Sequence, residues 1–407
     1  MDYTRRDLGK MALALPAAAL LGRSATLRAL AQAARPNSLI NGVQIGTITY
    51  SYRSMPDQSA EATLKYIVAS GISTVELMGG PVMAYARARS PFTPSTEPGR
   101  AGGGGRAGGG GGGGRAGGGG RSGPDPATLT ASWNGVPCAP SREGQTQADA
   151  GGGRAAAAAG AATAPAPAPA PVPAPAPAGG GGGRGTQTPE QQALANEERK
   201  WRMGLSMDIF KDLRKMYNDA GVRIYAVKDV RQGSDEDLEF TFAVAEALGA
   251  DHITLELPGG ANAAATLKRL GDWGVKKKIY VAYHTHAQGS MTAFDEAFAI
   301  SRGNMANVDL GHFVAGGNKG GTPIDFLNKF HGRTSSIHLK DRTLPENCGL
   351  NLPWGTGQTP IREILQLMRK NRWTFPASAE LEYSIPQGSD AVQEVRKCVD
   401  YCRAALK

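Results

Sequence analysis

The chain has 407 residues, among them 56 Gly, 26 Pro and only four Cys, and a formal net charge of +9. That length allows two ordinary domains or one β/α barrel with additions. The charge invites a nucleic-acid reading, but its distribution excludes one. Residues 98–187 carry seven Arg against Asp125, Glu143 and Asp149, a net +4, and the first 34 residues carry another +3. The remaining +2 leaves the foldable part near neutrality, with no basic face for DNA or RNA.

Taken in chain order, residues 1–33 read as an address. Thr4-Arg5-Arg6-Asp7-Leu8-Gly9-Lys10 has the form of a twin-arginine export signal, followed by the apolar stretch Met11–Gly22 and a small-x-small site at Ala31-Gln32-Ala33. The expectation is a periplasmic or extracellular protein, anchored only where the signal stays uncleaved. The apolar run is too short to span a bilayer, so no membrane span is expected in the mature chain.

Residues 41–97 begin the folded part. Val43–Thr49 reads as strand one, Ser59–Ser70 as an amphipathic helix and Ser73–Met78 as strand two, with Glu76 facing inward or toward a loop. Residues 98–187 interrupt the pattern with Gly, Ala, Pro and spaced Arg. A stretch with so little to bury cannot offset its ordering entropy, and it is expected to be disordered.

Residues 188–407 resume at Thr188-Pro189-Glu190, a helix start. One long helical region is expected to Asn218, then strand three at Val222–Val227, a helix at Asp235–Leu248, strand four at His252–Leu257 and a helix at Ala263–Trp273. Four further strand-like runs follow: Ile279–His286, Met305–His312, Ser335–Asp341 and Ala377–Tyr383. Each is apolar up to a tip bearing His, Asp or Glu. Eight strands alternating with helices, about 275 residues without the ends and the insert, predict a parallel (β/α)8 TIM barrel. Catalytic side chains in such a barrel come from the C-terminal ends of different strands, which makes these tips a candidate divalent-metal site.

Cys398 and Cys402 stand one turn apart on an apparent helix and suit packing better than a disulfide. Cys138 lies in the insert and Cys348 in an expected loop, so no disulfide framework is predicted.

The ordered series YHTH, VDLGH, SIHLKDR, NLPWGTGQTPIREIL and AELEY resembles the sugar phosphate isomerase/epimerase family, whose fold is the xylose-isomerase-like barrel. The resemblance implies one metal ion held by His284, Asp309, His338 and Glu380. Glu380 and Glu382 are two apart on one strand face, so the choice of Glu380 over Glu382 as ligand stays open. Two imidazoles and two carboxylates suit Mn, Co, Zn or Fe better than Mg or Ca.

Such an ion would chelate a carbonyl and its neighbouring hydroxyl and stabilise an enediolate. Glu256, Glu382 and His286 are the candidate bases. Glu76, His312, Lys340, Asp341 and Trp354 are the candidate substrate contacts. The expected function is a metal-dependent isomerase or epimerase of a sugar or keto-sugar. A lyase cleaving 3-keto-glycosides by β-elimination is the alternative on the same barrel, and a non-catalytic sugar-binding barrel a further one. The partner is a small carbohydrate, and a homo-oligomer is compatible with this reading.

Overall fold

Runs of Val, Ile, Leu, Ala and Tyr that are buried on both faces form the wall of the molecule, as parallel strands require. The computed structural model describes residues 35–94, 188–228 and 230–407 and the backbone of 132–133 and 136–137. The twin-arginine segment, Cys138 and most of residues 98–187 lie outside the described residues. The chain divides into two compact units. The first takes residues up to Pro91 and from Leu205 onward and holds the barrel; the second includes the helix Pro189–Met203.

Eight parallel strands close on themselves: β1 (Val43–Ile48), β2 (Thr74–Met78), β3 (Arg223–Lys228), β4 (His252–Glu256), β5 (Tyr280–His284), β6 (Asn304–Asp309), β7 (Thr334–Leu339) and β8 (Ala377–Ala379). Closure comes from β8 pairing with β1, Ala377 opposite Ile45 and Ala379 opposite Thr47. Two-residue strand Leu39–Ile40 leads in antiparallel to β1. The predicted barrel is therefore present, and no helix among the described residues is long and apolar enough to cross a membrane.

Helices return the chain between strands, and their ends follow local chemistry. Ser59 caps α1 (Ala60–Ala69), accepting from the Ala62 amide. Thr188 and Gln191 form a capping box on α2 (Pro189–Met203), and Ser234 with Asp237 forms another on α3 (Asp235–Leu248). The long helix expected to Asn218 is two elements: α2 stops at Gly204, and a separate helix, Asp208–Asp219, follows. Gly lacks the side chain that would favour continuing through that point.

Local structure differs from expectation at two strand tips and within the insert. β6 ends at Asp309 and gives way at once to α4 (Leu310–Ala315), so His312 is helical rather than part of a strand. β8 is three residues long, leaving Glu380 and Glu382 in the segment beyond it. Within the segment read as disordered, Ser132–Trp133 pairs antiparallel with Val136–Pro137. Asn-Gly separates them in the sequence, the pair that two-residue hairpins favour.

Cys348 is disulfide-bonded, which corrects the expectation of no disulfide; loop spacing gives no sign of such a pairing. Cys398 and Cys402 are free and buried.

Candidate metal centre

The barrel's inward positions are unusually polar, and they are stacked in layers. Glu76 of β2 sits at the centre with no solvent exposure. Its Oε1 accepts from Thr254 Oγ1 at 2.6 Å, and its Oε2 accepts from Tyr225 Oη at 3.3 Å and Asn307 Nδ2 at 3.1 Å. Tyr225 also meets Ser378, and Asn307 donates to Ser336, which contacts His252 Nε2 at 3.0 Å. Buried polar groups of this kind need hydrogen-bond partners, and here they supply them to one another.

Above this layer stand the strand tips. His338, one residue before the end of β7, lies between two carboxylates, with Nε2 2.7 Å from Glu76 Oε2 and Nδ1 2.8 Å from Glu380 Oε2. His284 ends β5, its Nδ1 3.0 Å from Asn307 Oδ1. The Asn307 amide NH2 is committed to Glu76 and Ser336, so its oxygen faces His284. Nδ1 of His284 therefore carries the proton, and Nε2 keeps a free lone pair.

Asp309 caps α4 by accepting the His312 amide on Oδ1 at 2.7 Å. Its Oδ2 is buried without a hydrogen bond and lies 3.1 Å from Lys340 Nζ. His284, Asp309, His338 and Glu380 are all buried, and one ligand atom from each lies within 4.8 Å of the others. Atoms around an ion at about 2.1 Å are spaced on that scale. The unsatisfied Asp309 oxygen, the free His284 nitrogen and the Glu76 carboxylate behind His338 all fit a divalent ion.

Electrostatics follow from burial and pairing. Burial would push Glu76 up, but His338 pulls its pKa to about 2. Burial would push His338 down, yet Glu76 and Glu380 hold it up at about 10. Burial raises Asp309 despite Lys340. Burial, then Lys228 and His338, press His284 well below the ordinary imidazole range. His312 is pressed down the same way, by burial and then by Lys340 and Arg342.

Two carboxylate–imidazole pairs lie at the tips beside this cluster. Glu256 is 3.4 Å from His286 Nε2 and 3.0 Å from Lys228 Nζ, a partner the sequence reading does not identify. Glu382 is 3.4 Å from His312 Nε2. The His286 and His312 rings stack with centroids 4.8 Å apart, so the two pairs adjoin. All three candidate bases are thus brought beside the four-residue cluster.

The expected substrate contacts separate. His312 remains at the cluster. Glu76 is fully buried beneath His338 and has no path to a substrate, so its place is behind the His338 ring. Asp341 is also buried, and its oxygens accept the amides of Gly355, Thr356, Gly357 and Thr359, which leaves none for a substrate. Trp354 packs edge-on against Tyr401 of the last helix. Lys340 is turned into the carboxylates, 3.1 Å from Glu380 and 2.7 Å from Glu382.

The sequence reading misses Thr254, Asn307, Ser336 and Ser378. Each stands two residues before a candidate site residue, so a period-of-two count back from the tips would mark the layer below.

Eight closed strands around a buried polar cluster of His, Asp and Glu define a TIM-barrel protein of metal-binding enzyme type. Residues 202–403 match the family described as Xylose isomerase-like TIM barrel. No curated protein matches the chain. Among solved structures, it is similar to a sugar phosphate isomerase/epimerase from Parabacteroides distasonis at 15% identity, over 90% of this chain and 96% of that one, with a TM-score of 0.46. It is also similar to the probable 3-DHS dehydratase AsbF, involved in petrobactin synthesis in Bacillus anthracis, at 12% identity over 88% and 99%, TM-score 0.46. A third is a xylose isomerase-like TIM barrel protein from Mycobacterium smegmatis in complex with magnesium, at 18% identity over 50% and 79%, TM-score 0.36.

Proposed function

We propose that this protein is a divalent-metal-dependent isomerase or epimerase of a sugar or keto-sugar, working by proton transfer at the carbon next to a carbonyl. The observation that carries the reading is the buried group His284, Asp309, His338 and Glu380 with two Glu–His pairs, Glu256–His286 and Glu382–His312, beside it. A Mn, Co, Zn or Fe ion held by the four residues would polarise the carbonyl and the adjoining hydroxyl. Glu256 and Glu382 supply two separate carboxylates, one to take a proton and one to return it. His286 and His312 orient them and carry the proton onward. Glu76 holds His338 in place, and His338, with Lys228 and Thr254, keeps Glu76 ionised.

The same base chemistry on a 3-keto-glycoside would expel the neighbouring substituent, so elimination is the competing outcome of one assay. Export by the twin-arginine route is part of this proposal and rests on the N-terminal motif alone; it directs the search to unphosphorylated sugars.

The test uses metal-loaded protein with sugars and 3-keto-glycosides in deuterated water. Expected are deuterium at the carbon beside the carbonyl and loss of that exchange in Glu256→Gln or Glu382→Gln with metal content retained. Release of the aglycone would assign elimination instead. Tight sugar binding with no exchange and no release would leave a binding barrel and end the enzyme reading.

A further inference from the structure

The carboxylates of the metal centre already face a cation supplied by the chain. Lys340 follows β7 directly, and its side chain is only 3% exposed. Its Nζ lies 3.1 Å from Asp309 Oδ2, 3.1 Å from Glu380 Oε2 and 2.7 Å from Glu382 Oε2, with His312 Nε2 at 2.9 Å. Asp309 and Glu380 belong to the four-residue group that fits a metal; Glu382 does not. The ammonium therefore draws on the same oxygen lone pairs that a divalent ion would use.

Two features make this a built arrangement rather than a stray contact. Helix α4 lies so close to Lys340 that a Cβ at Gly311 would come within 2.5 Å of the Lys340 carbonyl oxygen and 2.6 Å of its Cγ. The backbone and the root of the side chain are thus confined. The third carboxylate, Glu382, gives the ammonium a partner it can keep when the other two are taken.

We propose that Lys340 is a resident counter-ion of the metal centre: it holds Asp309 and Glu380 together in the metal-free protein and lowers metal affinity by competing for them. This rests on the metal reading given above. Like charges a few ångströms apart in a poorly solvated site repel strongly, so a metal that binds to Asp309 and Glu380 drives the ammonium toward Glu382 and His312. A residue whose work is substrate contact would leave metal affinity untouched.

The test is Mn2+ binding, by chelator competition, to the full chain stripped of metal, in wild type, Lys340→Met and the double variant Lys340→Met with Glu382→Gln. The double variant removes one carboxylate with the ammonium, so a folded protein remains for measurement if the single variant fails. Expected are at least about tenfold tighter Mn2+ binding in both variants. A lower melting temperature of the stripped single variant, recovered in part by the double, is expected alongside. Equal or weaker Mn2+ binding in the variants, with normal binding in wild type, overturns the counter-ion role alone. Absence of Mn2+, Co2+ and Zn2+ binding in all three proteins overturns the metal reading and this inference with it.

Discussion

Glu76 Oε2 lies 2.7 Å from His338 Nε2, and neither side chain has any exposure to solvent. With that nitrogen held by a carboxylate, the His338 ring can turn only its Nδ1 toward the site, where Glu380 stands at 2.8 Å. A carboxylate behind a ligating imidazole fixes the ring and raises its basicity, and losing one lowers metal affinity about 10–100-fold. Glu76→Gln keeps the shape and removes the charge. We expect Mn2+ affinity to fall by about that factor with the fold retained, checked by calorimetric titration beside circular dichroism. Unchanged affinity would show that Glu76 only fills the barrel.

The same pair sets a pH dependence. His338 is raised from 6.5 to about 10, so in the metal-free protein its contribution to stability is complete below 6.5 and disappears as pH rises through 10. Glu76 is lowered from 4.5 to about 2, so its contribution is present above 4.5 and is lost as pH falls through 2. The melting temperature of chelator-treated protein should hold between these limits and decline from near neutrality toward pH 10. A metal ligand must give up its proton, so metal affinity should rise with pH over that alkaline window. Melting curves with and without Mn2+ across pH 5–10 test both signs. A stripped protein that gains stability from pH 7 to pH 10 would contradict the imidazolium reading.

The barrel is legible in the sequence because its strands are buried on both faces and read as apolar runs, so a polar tip on each stands out. The polar tips of β5 to β8 are visible for that reason, while the choice of His284, Asp309, His338 and Glu380 among them comes from the family resemblance. What lies beneath them is not visible. Glu76 and His338 are 262 positions apart, and only closure of the barrel brings them together. Lys340 and Asp341 are neighbours that look alike as polar residues after His338, yet one side chain goes into the carboxylates and the other, on a two-residue strand, into loop amides. Glu380 and Glu382 do share a side, since both reach Lys340, although the strand itself ends at Ala379. The bond at Cys348 has no local signature at all.

Asp341 organises the loop rather than the substrate. Its Oδ2 accepts from Gly355 at 2.8 Å, Thr356 at 3.1 Å and Gly357 at 2.9 Å, and its Oδ1 from Thr359 at 3.2 Å. Asp341→Ala strips four amides of their acceptor. We expect fast amide exchange at these four positions, and a stability loss of about 2–4 kcal/mol. Metal content should not change, because no oxygen of Asp341 belongs to the four-residue group. Mass-spectrometric hydrogen exchange over 353–360 measures the first, and retained protection there would refute the role.

Gly311 answers to packing against the site rather than to helix preference. Inside a helix, replacing Gly by Ala normally stabilises by up to about 1 kcal/mol. At this position the added Cβ would meet the Lys340 carbonyl oxygen at 2.5 Å, and backbone has little room to yield. Overpacking of that kind costs about 1–3 kcal/mol, which reverses the sign. Gly311→Ala should therefore lower the urea midpoint, and by moving Lys340 or α4 it should also alter Mn2+ affinity. Asp309 caps α4 through the His312 amide, so the strain falls on a proposed ligand as well. A stabilised variant with unaltered Mn2+ binding would mean that α4 does not press on Lys340, and the confinement of that ammonium would have to come from its carboxylates alone.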